Sequence, residues 1–187
     1  MKYPNSKKAY ISSRTSYSNR GMSLEEDINK TNEYYLTNNI AVVYKKPTPI
    51  QIVKVDYPKR SAAKITEAYF KLPSTTDYNG IYKGKYIDFE AKECNSKTSF
   101  SFDLIHQHQI KHLSNVLKHG AISFIILRMT FYEKDYLIKA EDFINYYNLG
   151  DRKSLPIKWI ETNGFEISKS YIKPVDYLSI VEKHFVL

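Results

Sequence analysis

From Ile87 to Lys92 apolar and charged residues alternate without a break. In an extended strand this puts Asp88, Glu90 and Lys92 on one face and Ile87, Phe89 and Ala91 on the other. Lys83-Gly84 just before it is a turn signal, so the stretch from Ser74 to Glu93 reads as a β-hairpin with one strand on each side. Upstream, Leu24, Ile28, Thr31 and Tyr35 recur at helical spacing. Ser23 and Glu26 form a capping box at the start of that helix, Glu25, Glu26 and Asp27 suit the positive end of its dipole, and Asn38-Asn39 stops it. The continuous apolar run Ile40 to Tyr44 predicts a buried strand, and Lys45-Lys46-Pro47-Thr48-Pro49 breaks it.

Gln51 to Tyr57 alternates as a strand with an impure apolar face, ended by Tyr57-Pro58-Lys59-Arg60. Ser61 to Leu72 fits a helix through Ile65, Ala68, Tyr69 and Leu72, and fits a strand equally well. Beyond the hairpin, Asp103 to His119 predicts a helix closed by Gly120. Ala121 to Met129 is the strongest buried-strand signal in the chain, and Lys134 to Lys139 is expected to pair with it across a turn near Tyr132-Glu133. Short helices are expected from Glu141 to Asn148 and from Pro156, a small strand at Phe165 to Ile167, and a closing helix from Asp176 to His184. There is no internal repeat and no glycine-rich phosphate loop.

Composition narrows the partners. The 187 residues carry 28 Lys+Arg against 20 Asp+Glu, a net charge of +8, which favours a polyanionic partner such as nucleic acid or an anionic membrane surface. From Lys45 to Lys71 there are seven basic residues (Lys45, Lys46, Lys54, Lys59, Arg60, Lys64, Lys71) and two acidic ones (Asp56, Glu67). A basic excursion of this kind suits insertion into branched DNA, with Tyr69 or Phe70 wedged against unstacked base pairs, and suits an ordinary solvated hairpin as well. The polar, basic residues 1–19 read as a mobile arm, followed by Arg20 near the entry to the domain. No apolar run reaches membrane-spanning length and the basic residues are not gathered on one amphipathic helix, so no membrane role is expected. A lone Cys94 excludes an internal disulfide and fits the cytoplasm.

The acidic strand offers chemistry. Asp77 lies thirteen positions before Glu90, where hairpin pairing brings it opposite the Glu90 and Lys92 end. Carboxylate oxygens gathered this way suit Mg²⁺, and an adjacent ammonium suits a developing pentavalent phosphate. The competing reading is a charged edge strand that blocks unwanted pairing. The run His106-Gln107-His108-Gln109-Ile110-Lys111-His112 lacks the cysteines or the H-E-x-x-H context of a zinc site. Its helix is expected to pack beside the Glu90 strand and aim Gln109 at the metal.

Taken together, S-N-R-G-M-S-L-E-E-D-I-N, I-A-V-V-Y-K-K-P-T-P-I-Q-I-V, Y-P-K-R-S-A-A, E-A-Y-F, S-T-T-D-Y-N-G-I-Y-K-G, Y-I-D-F-E-A-K-E, the H-x-H-Q-I block and D-Y-L-S-I-V-E resemble the RecU family of Holliday junction resolvases. That family lies among the restriction-endonuclease-like nucleases with a D…E-x-K core. The resemblance runs from about Tyr17 to the C-terminus and implies an α/β fold, a mixed central sheet flanked by helices. One nuclease domain, residues 20–187, would carry a projecting basic stalk at about 45–73. It implies a metal site of Thr75, Asp77, Glu90 and Gln109 with Mg²⁺, or Mn²⁺, as cofactor, Asp77, Glu90 and Lys92 as catalytic residues, and Asp88 in support. DNA contacts are expected from Arg20, Lys45, Lys46, Lys59, Arg60, Lys64 and Phe70. The implied partners are four-way DNA junctions, a second copy of the chain in a homodimer, and the RecA recombinase. Gln107 stands where an acidic residue is usual, Ser101 where a proline is usual, and the N-terminal arm is short. The alternatives are a sequence-specific endonuclease of the same core and a junction-binding protein without catalysis.

Overall fold

A computed structural model describes residues 23–71 and 75–185 of the chain, so the N-terminal arm and Arg20 lie outside the described residues. Helix α1 spans Leu24–Thr37, and its capping box is formed: Ser23 N–H donates to Glu26 Oε2 at 2.9 Å and Glu26 N–H to Ser23 Oγ at 3.3 Å. Its four expected inward residues, Leu24, Ile28, Thr31 and Tyr35, are all buried. Asn39 then takes a left-handed conformation (φ 55°) and the chain enters β1, Val42–Lys45.

Strand β1 corrects the expectation of a buried strand. Only Ala41 and Val43 turn inward, while Ile40, Val42 and Tyr44 are exposed. The reason is its place at the sheet edge, where α1 covers one face alone. The chain next leaves the sheet as a ribbon of β2, Ile50–Asp56, and β3, Lys64–Phe70, antiparallel to each other and, among the described residues, hydrogen-bonded to no other strand. Every residue of both strands is exposed. The ambiguous Ser61 to Leu72 segment is thus a strand beyond its 3₁₀ turn at Arg60–Ala62, because pairing with β2 overrides its helical spacing.

The hairpin follows: β4, Tyr78–Tyr82, and β5, Lys85–Cys94, joined by Lys83 and Gly84 at φ 48° and 75°. Two positive φ values in a two-residue loop match the right-handed twist of the strands. Gly80 lies where β1 passes closely; a Cβ there would sit 2.1 Å from the Val42 carbonyl oxygen.

After the short strand β6, Ser99–Ser101, comes α2, Gln107–Lys118. It starts later than the spacing suggests, because Phe102–Leu104 forms a separate 3₁₀ turn and His106 is extended. Strand β7, Ile122–Met129, is buried along its whole length and runs parallel to β5, with α2 as the crossover. Glu133 (φ 54°) turns the chain into β8, Lys134–Lys139, then α3, Ala140–Tyr147, β9, Ser154–Pro156, α4, Ile157–Asn163, β10, Phe165–Glu166, and α5, Tyr177–His184.

The main sheet has the order β1-β4-β5-β7-β8-β10, with β6 and β9 forming a small side ladder. Helices α1 and α5 cover one face through Ile28, Tyr35, Tyr177 and Val181 packed on Ile87, Phe89 and Phe124. On the other face, α2, α3 and α4 pack Leu113, Phe143 and Ile160 against Ile125, Leu127 and Ile138. This is the mixed sheet between helices that the resemblance implies.

Candidate active site

Strand β5 is one of the two central strands of the sheet: Ile87, Phe89 and Ala91 anchor it in the core under α1, and the alternate positions face α2. Asp88 and Glu90 are both 0% exposed, and Lys92 at the end of the row keeps 22% of its side chain in solvent. The hairpin register pairs Tyr78 with Phe89, which brings Asp77 beside Glu90.

Glu90 Oε1 accepts from Gln109 Nε2 at 2.7 Å and faces Lys92 Nζ at 2.7 Å. Its other oxygen, Oε2, is buried and receives no donor from the described residues. Burial, and then the adjoining Asp77 carboxyl, push Glu90 up from 4.5 to about 8, against the opposing pull of Lys92. Two carboxyl groups this close share a proton or a cation. The orphaned oxygen and the half-buried Asp77 therefore fit a divalent ion bound between them.

Gln109 is held by its other end too, since its Oε1 accepts from the His106 N–H at 2.9 Å. In this arrangement it orients Glu90, and the second lone pair of its Oε1 is left for a ligand role. Thr75 turns its hydroxyl to the carbonyl oxygen of Thr76 at 3.4 Å. Among the described residues no three His, Cys, Asp or Glu side chains gather as a metal cluster.

Asp88 stands apart from this pair. Its carboxylate accepts from Lys46 Nζ at 2.8 Å, from Tyr86 OH at 2.9 Å and from the Thr76 hydroxyl, with His112 Nε2 at 3.2 Å. Lys46, expected on the DNA surface, is thereby turned inward: a buried carboxylate draws the nearest ammonium to it. Lys45 pairs with Glu25 at 2.5 Å on the surface. Lys59, Arg60 and Lys64 lie exposed at the far end of the ribbon, whereas Phe70, 84% exposed, pairs opposite Ile50 at the end next to the sheet.

Sequence reasoning missed Thr76 and the pairing partners of Asp88. It also missed the buried Arg128–Asp135 ion pair, whose bonds from Nε and Nη2 are both 2.7 Å. An arginine within the apolar run of β7 was the signal for it.

The protein-family model described as RecU, Recombination protein U, matches residues 19–183. The chain belongs to the RecU family. Proteins named Holliday junction resolvase RecU from Bacillus cereus and Bacillus anthracis are each 51% identical to this RecU-family chain, over 97% of it and 96% of their own length. The solved structure of Archaeoglobus fulgidus Hjc, a Holliday junction resolvase from an archaeal hyperthermophile, is 12% identical, with a TM-score of 0.42 over 75% of this chain and 94% of its own.

The raised Glu90 carboxyl gives a pH prediction for the metal-free RecU-family chain. Between pH 4.5 and 8 the folded state holds the proton that an unfolded Glu90 has lost, so Glu90's contribution to stability falls as pH rises through that window. The slope approaches about 1.4 kcal/mol per pH unit for one proton. Urea unfolding in a chelator at pH 6 and pH 8.5 measures it, and Glu90→Gln is expected to flatten that part of the profile.

Proposed function

We propose that the chain is a divalent-metal-dependent endonuclease that resolves four-way DNA junctions by nicking two opposed strands. The observation that carries this reading is the Asp77–Glu90 carboxyl pair next to Lys92, with Glu90 Oε2 buried and without a donor among the described residues. Asp77 and Glu90 would hold the ion, with Thr75 and Gln109 completing the set; Mg²⁺ suits such hard oxygens. Bound there, the ion supplies Lewis-acid polarisation of the scissile phosphate and acidifies an attacking water. Lys92, partly exposed at the rim of the pair, brings an ammonium to the charge that builds on the phosphoryl oxygens. Gln109 fixes the rotamer of Glu90, and the His106 N–H fixes that of Gln109.

The substrate class follows from the ribbon and from the relatives named as junction resolvases. Lys59, Arg60 and Lys64 at its tip reach phosphates away from the sheet, and Phe70 offers an apolar wedge at its root. We further propose a homodimer. An isolated two-stranded ribbon is marginal in water, yet this one exposes Ile50, Ile52, Val53, Val55 and Ile65. A second copy of the ribbon would cover them.

The test is cleavage of an immobile four-way junction and of linear duplex with the same sequence, each with and without Mg²⁺. Paired nicks in the junction alone, and only with the ion, are expected. Cutting of linear duplex would favour a sequence-specific endonuclease. For the ribbon, Lys59→Ala combined with Arg60→Ala is expected to reduce the slope of log affinity against log salt by up to about two per protomer. Junction binding across a salt series measures it.

A further inference from the structure

The ribbon is joined to the sheet through two short stretches, leaving at Lys46 and returning at Thr76, and both meet one carboxylate. Lys46 Nζ reaches Asp88 Oδ2 at 2.8 Å and Thr76 Oγ1 at 2.9 Å, and the Thr76 hydroxyl donates to Asp88 Oδ1. On the same carboxylate sit Tyr86 from the catalytic strand and His112, which lies three residues beyond Gln109 on α2. The backbone closes the arrangement, since Lys46 N–H donates to the Asp77 carbonyl oxygen at 2.7 Å.

A fully buried carboxylate with such donors is stiff, because any donor that departs leaves charge or lone pairs unsatisfied in a dry site. Volume alone does not explain Asp88, since an apolar residue facing α2 would fill that space without the cost of burying charge. The stretch that follows the ammonium is stiff as well: Lys46-Pro47-Thr48-Pro49 has two residues with φ fixed by their rings. Orientation imposed at Lys46 is thereby passed on to β2.

Resting on the nuclease reading above, we infer that Asp88 is a positioning residue that clamps both roots of the stalk ribbon to the catalytic strand. The clamp holds the ribbon in fixed register with Asp77 and Glu90. The distance between the branch point that the ribbon engages and the phosphate that is cut is then set by the protein. Lys46 belongs to this clamp and not to the DNA surface.

Two measurements on the full-length chain test it. The first is amide hydrogen exchange without metal or DNA. Asp88→Asn and Lys46→Met are each expected to speed exchange at the Lys46 amide by about tenfold or more, while the buried amides of β7 keep their protection. Lys46→Arg is expected to retain most of the protection. The second is the position of the cuts on an immobile junction with a single branch point, mapped strand by strand. Wild type is expected to cut at one or two adjacent phosphates. Both variants are expected to spread the cuts over neighbouring phosphates, with the double variant no worse than either single one because both break the same clamp. Lys46→Met alone carries the prediction should Asp88→Asn not fold. Unchanged exchange at Lys46, or cuts that stay at the wild-type phosphates in the variants, would overturn the inference. Junctions left uncut by wild type would instead count against the nuclease reading, and the clamp would then be judged by exchange.

Discussion

Glu90→Gln is expected to bind four-way junctions with nearly unchanged affinity and to cut them at least about a thousandfold more slowly in Mg²⁺. The substitution keeps the shape of the side chain and its contact with Gln109, and removes the negative charge that would hold the ion. Asp77→Asn is expected to behave in the same way, because each carboxylate alone leaves half of a site. Affinity is expected to be spared because most of the proposed phosphate contacts lie on the ribbon's cationic tip, away from the acidic pair. The fold is spared too, since burial already raises Glu90 toward its neutral form. Single-turnover cleavage measured beside gel-shift binding separates the two effects, and normal cutting by both variants would defeat the catalytic assignment.

Phe89→Ala is expected to cost about 3–5 kcal/mol of stability. Phe89 stacks between Tyr78 at 4.9 Å and Phe124 at 4.7 Å, with Tyr177 of α5 tilted against it at 5.1 Å. It is fully buried beneath α1 and α5, so its removal opens a cavity walled by rings that cannot close in without moving a helix. For a chain of this size each kcal/mol corresponds to about 2–4 °C in melting temperature. A melting temperature within about 2 °C of wild type would contradict the packing described for this face. The loss also reaches function, because Phe89 lies between Asp88 and Glu90 and its anchoring turns both outward to α2.

Much of the frame around these residues was legible in the residues themselves. The capping box, the Lys83-Gly84 turn and the alternation of β5 are local patterns, set within a few positions by backbone geometry, and each appears where the spacing puts it. What needed a neighbour from far along the chain was not legible. Apolar Ile40 to Tyr44 does not say that β1 lies at an edge, and Ser61 to Leu72 does not say that β2 is its partner. Lys46 looks like any surface lysine until Asp88, forty-two positions later, is seen to be buried beside it. The start of α2 was misread because Leu104 and Ile105 continue its apolar spacing into a segment that turns as 3₁₀. For the acidic pair, sequence offered the hairpin that brings Asp77 near Glu90; the buried Oε2 and the raised carboxyl emerge only when α2 closes over the strand.

Binding of Mn²⁺, followed by electron paramagnetic resonance in the absence of DNA, tests the convergence of these oxygens without relying on turnover. Saturable binding by the wild-type chain, competed by Mg²⁺ and weakened at least about tenfold in Asp77→Asn and in Glu90→Gln, is the predicted result. Equal Mn²⁺ affinity in all three proteins would contradict a metal site built from this pair.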